Sequence, residues 1–594
     1  MRSLTLPALL SLVLVLAVLA PTSTPAQTDQ SGTWVQMYNV PLNPDTMLIL
    51  TDGTIAVDDY GTSNWWRLVP DKYGSYLRGT WVPMGSMPVE TTGTCSTTAP
   101  TKNALGCAYA PYDYASAVLA DGRLVVTGGE YTYDPTGAAY GTETSQGAIW
   151  DWHTNTWTTL APPAGWTRIG DADSVVLANG QYLLARNSVT RGTPAGQVAI
   201  MTPSTSLSWT NLTPPGKADS NSEENWVLLP DGTIWTVDIS AEPGSERYIP
   251  PYLDNSVNGE WINAGPEPPS IGVTAYKGGF EDGANVLLNN GSVFAISGNP
   301  DTGVNALYTP PPTTKPPSQA QGTWSAAPNY PNIGGILNDC DGPASLLPNG
   351  NVFFTGSAGC YNIPSYYFEF DPRHQQYDGA NSSLVQVVSP YDPVAAETVG
   401  SQISSFYSRF IVLPDGNMLY SWDDGLETYI FIPATRGPRQ PWDIGERGAE
   451  RDRREAPSIR SYAHQMSPGY TYVVSGTQFN GLSASGYYGD DEANASNYPL
   501  IRFTNLATGH VQYGRTHDFS SMGVATGSAI VSTDVDTPQN LEPGPAFMQV
   551  VVNGIASSPV TVLIDRGKDQ HAGQSKPGDR GNGRTGNEER SGAK

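Results

Sequence analysis

SAVLADGRLVV (Ser116–Val126), WVLLPDGTIWT (Trp226–Thr236) and FIVLPDGNMLY (Phe410–Tyr420) are three spellings of one unit. An apolar run meets Asp-Gly, and β-branched or aromatic residues follow. Asp-Gly and Asn-Gly supply the positive φ of a tight hairpin turn, so each unit predicts two antiparallel strands. Four further copies are MLILTDGTIAV (Met47–Val57), SVVLANGQYLL (Ser174–Leu184), NVLLNNGSVFA (Asn285–Ala295) and ASLLPNGNVFF (Ala344–Phe354). The turn glycines Gly53, Gly122, Gly180, Gly232, Gly291, Gly350 and Gly416 recur every 52–69 residues. Several copies lead into an aromatic or apolar pair, a Pro or Asp, and then Trp, as in AIWDWHTNTW ending at Trp157, AIMTPSTSLSW at Trp209 and the stretch ending at Trp324. These predict two outer strands, with the Trp packed between neighbouring sheets. Four strands in each of seven repeats make a seven-bladed β-propeller. GTWVQM, with Trp34, precedes the first hairpin and is expected to complete the last blade and close the ring. An irregular two-sheet sandwich would not explain the count.

The composition agrees with an all-β chain. Its 594 residues include 63 Gly and 50 Pro, a density that breaks long helices. Charged residues make up 15%, below the roughly 25% of typical soluble domains. Lys and Arg number 31 against 56 Asp and Glu, a net charge of −25. That balance disfavours nucleic acid, which needs a basic face, and docking on anionic lipid.

Residues 1–26, with Arg2, LLSLVLVLAVLA and PTSTPA, read as a cleavable signal peptide, and no later run reaches about 20 apolar residues. A secreted protein, extracellular or periplasmic, monomeric and without a transmembrane segment, is expected. Four Cys fit an oxidising compartment. The expected pairs are Cys95–Cys107 and Cys340–Cys360, although four Cys allow three connectivities. The propeller is expected over 31–435 and a charged linker over 436–457. Over 458–564 the turn spacing changes and TYVVSGTQF and AFMQVVVNG alternate, which predicts an immunoglobulin-like sandwich. Residues 565–594 have no hydrophobic period and are expected to be a disordered tail.

The hairpin unit resembles the kelch repeat, although only Gly128-Gly129 keeps that repeat's double glycine. A kelch-type propeller followed by an immunoglobulin-like E-set domain resembles galactose oxidase and glyoxal oxidase, the copper-radical oxidases, over Ser31–Ile564. YASAVLADGRLVVTGG, NYPLIRFTNLATGHVQYGRTHDFSSMGVATG and EPGPAFMQVVVNGIASSPVTVLI carry the resemblance. The carbohydrate-binding module that precedes the propeller in galactose oxidase is not expected here.

The resemblance implies a copper held by two tyrosines and two histidines, with a Cys crosslinked to one tyrosine. Thr516-His517 matches the threonine-histidine that delivers one ligand from the terminal domain. The family's Tyr-His falls on Phe406-Tyr407, its crosslinked tyrosine on Asp171, and its Cys near Asp113 or Tyr114. With one of four ligands matched, the oxidase activity is not carried over, and copper is less expected than Ca²⁺. His517 also reads as a hydrogen-bonded histidine between propeller and sandwich.

Nine residues before the turn glycines stand Pro44, Asp113, Asp171, Glu223, Asp282, Asp341 and Tyr407, with Asp173, Glu224, Glu281 and Asp339 close by. Five consecutive blades thus carry a carboxylate at one register, expected to converge on one mouth of the axis. Unit charges about 6 Å apart interact by roughly 2–3 kcal/mol at an effective dielectric near 20, so such a ring raises its own pKa values or recruits a cation. All-oxygen donors favour Ca²⁺ or Mg²⁺. The same ring suits sugar hydroxyls, with Trp226, Tyr407 and Trp422 as stacking faces, and a carboxylate pair suits glycoside cleavage. The plainer reading is that each acid caps backbone N–H groups and closes the ring. GYYGDDEANASNYP, with Asp490 and Asp491, reads as a solvated loop. Three functions stay open: binding of a carbohydrate-like ligand or cation, a copper-radical oxidase with a rearranged site, and an extracellular protein-interaction module.

Overall fold

The computed structural model describes residues 32–565 apart from 89–107, 134–138, 142, 188–195, 204–206, 222, 242–243, 268–281, 373–383, 388–402, 423–426, 434–454, 487–492 and 495. The signal peptide, the Cys95–Cys107 pair, Glu281, Asp490, Asp491, most of the linker and the tail lie outside the described residues. Cys340–Cys360 forms. Among the described residues, no helix is long and apolar enough to cross a membrane.

All seven predicted hairpins are present, and each begins a blade. The innermost strands are Pro44–Ile49, Ala115–Val118, Ser174–Val176, Val227–Leu228, Asn285–Leu287, Ala344–Leu346 and Ser408–Val412, for blades 1 to 7. Each pairs antiparallel with the strand after its turn, as in Ala117↔Val125 and Ile411↔Leu419. The turn differs in detail from the two-residue mirror-image type. Only the glycine has positive φ, +84° at Gly122. The preceding acid keeps ordinary backbone and accepts the N–H two residues on, at 3.1 Å for Arg123 on Asp121 and 3.0 Å for Thr233 on Asp231. That is a type I turn ending in a left-handed glycine.

Gly32–Gln36 pairs with Tyr429–Pro433 and completes blade 7, so the two ends of the propeller close in one sheet. Trp34 fixes the closure, with ring centroids 4.8 Å from Phe431, 5.3 Å from Tyr420 and 5.8 Å from Phe353 of blade 6. Trp157 of blade 2 packs on Trp65 of blade 1 at 5.2 Å, and Trp324 of blade 5 on Trp235 of blade 4 at 5.7 Å. Trp157 and Trp324 therefore pack between sheets, as the repeat predicted, while Trp209 packs on Tyr182 of its own blade at 6.0 Å.

The C-terminal strands form one curled, mostly antiparallel nine-stranded sheet, sandwich-like around Tyr472, Val474, Phe503, Met548, Val550 and Val562. It rests on the turn end of the propeller: Thr516 N donates to Thr51 O at 3.1 Å, Met522 N to Ala178 O at 3.0 Å, and Val511 N to Lys72 O at 2.8 Å. One core runs across this junction, uniting Tyr498, Leu500, Tyr513 and Met522 with Leu48, Leu50 and Val118.

From that domain, two short strands enter the axis. Ala484–Ser485 pairs antiparallel with the inner strand of blade 5, and Ala493–Asn494 pairs parallel with that of blade 7. Gly486 N donates to Asn285 O at 2.7 Å, and a Cβ there would lie 1.6 Å from Asn225 Oδ1. Only glycine fits so close to blade 4. Below it the axis keeps an apolar cavity of about 40 Å³, lined by residues including Ile49, Val118, Leu228, Ala484 and Met522.

Candidate axial carboxylate site

The inner strands run from the carboxylates to the Asp-Gly turns, so the five register acids lie at the end opposite the sandwich. The structure brings them together as a linked series. Asp171 is electrostatically coupled to Glu223, Asp339 to Asp282, and Asp341 N donates to Asp282 O at 3.1 Å. They do not line an open mouth. Asp113, Asp171, Glu223, Asp282 and Asp341 are all buried. In blades 2, 4 and 6 the register residue turns through left-handed backbone, with φ of +51° at Asp113, +61° at Glu223 and +52° at Asp341. Left-handed backbone outside glycine costs roughly 1–3 kcal/mol and gathers at functional sites.

The series is not uniformly uncompensated, which corrects the simple ring. Arg409 of blade 7 donates to Asp45 of blade 1 at 2.9 Å and lies 3.9 Å from Asp113 of blade 2. Asp341 accepts the Tyr361 hydroxyl at 2.7 Å. Blades 3 to 5 form the acidic half. Asp171 accepts from Asn187, and Asp282 accepts Gly283 N at 2.8 Å and Asn285 Nδ2 at 2.7 Å. Asp339 accepts Thr355 Oγ1 at 2.6 Å.

Asp173 is different. It is fully buried, and among the described residues neither carboxylate oxygen has a hydrogen-bond partner. Burial pushes its carboxyl well above the usual range; Lys217 opposes this, and Glu223, Asp282 and Asp219 add to it. Burial likewise raises Asp171, helped by Glu223 and Glu130, and raises Asp282 and Asp339. A buried carboxylate without donors holds a proton or faces a cation.

Behind blade 4 lies a cluster of which the register marks only Glu224. Lys217 Nζ donates to Asp219 at 2.7 Å and Glu224 at 2.5 Å, lies 3.0 Å from Glu246, and stands over the Trp261 ring at 4.7 Å. Burial alone would lower its pKa, but Glu224, Asp219 and Glu246 hold it well above the ordinary value. Asp238 beside them is pushed up to about 8, by burial first. Beyond Glu224, the sequence signal was Glu246-Arg247 inside the strand SERYI, where a central sheet strand should be apolar.

The expected stacking faces are corrected in part. Trp226 is wholly buried, packed on Trp261 at 5.7 Å, and its Nε1 donates to Glu224 at 3.3 Å. Trp422 packs against the blade 7 core. Tyr407 is half-buried, its ring 3.9 Å from Phe406.

His517 joins none of these acids. It sits at the turn end beside Trp152, ring centroids 5.6 Å apart, with Nδ1 3.0 Å from Asp518 and Nε2 3.4 Å from Asp536. The inner strands separate it from Asp113 by roughly 20 Å at about 3.3 Å per residue. Burial would lower its pKa, but hydrogen bonds to Asp518 and Asp536 push it up to about 9. A histidine raised in the folded state stabilises fully below its unfolded pKa, and the contribution disappears as pH rises through the folded value. Wild-type protein should therefore lose thermal stability between about pH 6.5 and 9 by an increment absent from His517→Phe. Parallel melting curves of both proteins across that range would refute it.

No family model matches the sequence, and no curated protein matches it. By structure the chain is similar to a fungal alcohol oxidase of the AA5 family in complex with copper, at 12% identity and TM-score 0.47, covering 90% of this chain and 99% of that one. It is also similar to virginiamycin B lyase from Staphylococcus aureus, at 10% identity and TM-score 0.39, over 67% and 98%. A PL25 ulvan lyase follows at 9% identity and TM-score 0.28, over 65% and 96%. At such values the site has to be read from its own residues.

Proposed function

We propose that this is an exported propeller protein that binds a hard divalent cation, Ca²⁺ first, at the acidic half of the axial site, and with it a carbohydrate-like ligand. The observation that carries the reading is Asp173, fully buried with both carboxylate oxygens unpartnered among the described residues, beside Asp171, Glu223 and Asp282. An all-oxygen donor set suits Ca²⁺ or Mg²⁺. Copper does not fit these residues. The positions that match the four oxidase ligands and the crosslinking Cys hold Phe406, Tyr407, Asp171, His517 at the other end of the strands, and Asp113 or Tyr114, so among them no set of imidazole and phenolate donors converges.

Calorimetric titration of chelator-treated protein with CaCl₂, MgCl₂ and CuSO₄ tests this. Stoichiometric Ca²⁺ binding with a raised melting midpoint is expected. Stoichiometric copper with peroxide release from primary alcohols or aldehydes would replace the reading by the oxidase. Binding of none of the three would favour the interaction module.

A further inference from the structure

Asp341 and Tyr361 follow directly the two cysteines of the Cys340–Cys360 disulfide. The crosslink therefore brackets the pair, and Tyr361 Oη donates to Asp341 Oδ2 at 2.7 Å. Both residues have left-handed backbone, +52° at Asp341 and +61° at Tyr361. Asp tolerates that region; a bulky aromatic residue rarely enters it unless the surroundings hold it there. Here the disulfide and the hydrogen bond do so.

The held ring is not a core residue. Tyr361 is 48% exposed, while Asp341 beneath it is 2% exposed. Tyr361 meets Phe406 edge-on at 4.9 Å, and Phe406 lies 3.9 Å from Tyr407. The pair stands at the carboxylate end of the axis, because the loop carrying Tyr361 follows the strand Val352–Ala358 that runs away from the Gly350 turn. A rigid exposed ring backed by a buried carboxylate is costly to build and contributes little to a core.

We infer that Tyr361, oriented by Asp341 and flanked by Phe406 and Tyr407, is an aromatic subsite for a neutral pyranose ring. The sugar's C–H face lies on the phenol ring, and a sugar hydroxyl donates to Tyr361 Oη, whose own proton is committed to Asp341. Uronates and sulfated sugars are disfavoured, since Asp341, Asp282 and Asp339 lie close behind and the chain carries a net charge of −25. The inference rests on the carbohydrate part of the function proposed above and names its substrate class.

Affinity electrophoresis of the full chain tests it, in native gels cast with one soluble polysaccharide each: galactomannan, xyloglucan or mixed-linkage β-glucan as neutral probes, alginate or pectate as acidic ones. Retardation by at least one neutral probe and by neither acidic one is expected. Tyr361→Ala should weaken that retardation about ten-fold, and the double variant Cys340→Ser/Cys360→Ser to a similar extent. Tyr361→Phe keeps the ring and should lose only about two- to three-fold, which separates a lost contact from a failed fold. Retardation undiminished in Tyr361→Ala overturns the subsite, as does retardation by the acidic probes alone. Wild-type protein that answers Ca²⁺ calorimetrically but runs unretarded on every gel also overturns it, and leaves the cation site standing. Retardation without any Ca²⁺ response supports the subsite and removes the cation site instead.

Discussion

Asp173→Asn should abolish the stabilisation of this protein by Ca²⁺. At a hundred-fold excess over the dissociation constant, a ligand bound only by the folded state contributes about 2.7 kcal/mol. For a chain of 594 residues that raises the melting midpoint by about 2 °C, against no resolvable shift in the variant. Asn keeps the shape of Asp and removes the charge. The variant should also be no less stable than metal-free wild-type protein, because a fully buried carboxyl without hydrogen bonds contributes no native contact that Asn loses. Differential scanning calorimetry with and without CaCl₂ reads both effects. A Ca²⁺ shift retained in Asp173→Asn would remove Asp173 from the site.

The same burial gives metal-free protein an uncommon pH dependence. Asp171, Asp173, Asp282, Asp339 and Glu224 are raised well above their ordinary values, all by burial first, and Asp238 to about 8. The folded chain then keeps protons that the unfolded chain releases near pH 4. Where the folded state binds more protons, stability falls as pH rises. Metal-free protein should melt higher at pH 5.5 than at pH 8. Saturating Ca²⁺ should flatten that slope, since the cation replaces the protons.

What could be read ahead of the structure was local chemistry. Asp121-Gly122 and its six counterparts announce a turn from two adjacent residues, so the blades could be counted from them. The register of Asp113, Asp171, Glu223, Asp282 and Asp341 followed from the same count. Which of those acids is compensated could not be read, because the partners come from remote strands. Arg409 reaches Asp45 across 364 residues of chain, and Lys217 is embedded in a segment with no strand period. The axial strands were equally hidden. Ala484–Ser485 has neither alternation nor β-branched residues, and it becomes a strand only because Val286 and Leu287 offer it an edge inside the channel. Trp226 shows the reverse failure: its register placed it by the mouth, but its ring is wholly buried against Trp261 of its own blade.

Lys217→Met should be among the most damaging single substitutions in the propeller. Nζ serves Asp219, Glu224 and Glu246, all buried, with Asp238 next to them. Removing one partner from a buried ionic cluster costs about 3–5 kcal/mol, since the remaining charges stay uncompensated. The loss should be largest near pH 8 and shrink towards pH 5.5, where the orphaned carboxyls can take up protons. Lys217→Met/Glu224→Gln should recover part of it by removing one of those charges. Chemical denaturation at the two pH values decides between this and a mere packing loss, which would be the same at both. Lys217 also opposes the raised pKa of Asp173, so its ammonium competes with any cation bound there. The destabilised variant should therefore answer Ca²⁺ with a larger upward shift than wild-type protein, an outcome that a cation site remote from Asp173 would not produce.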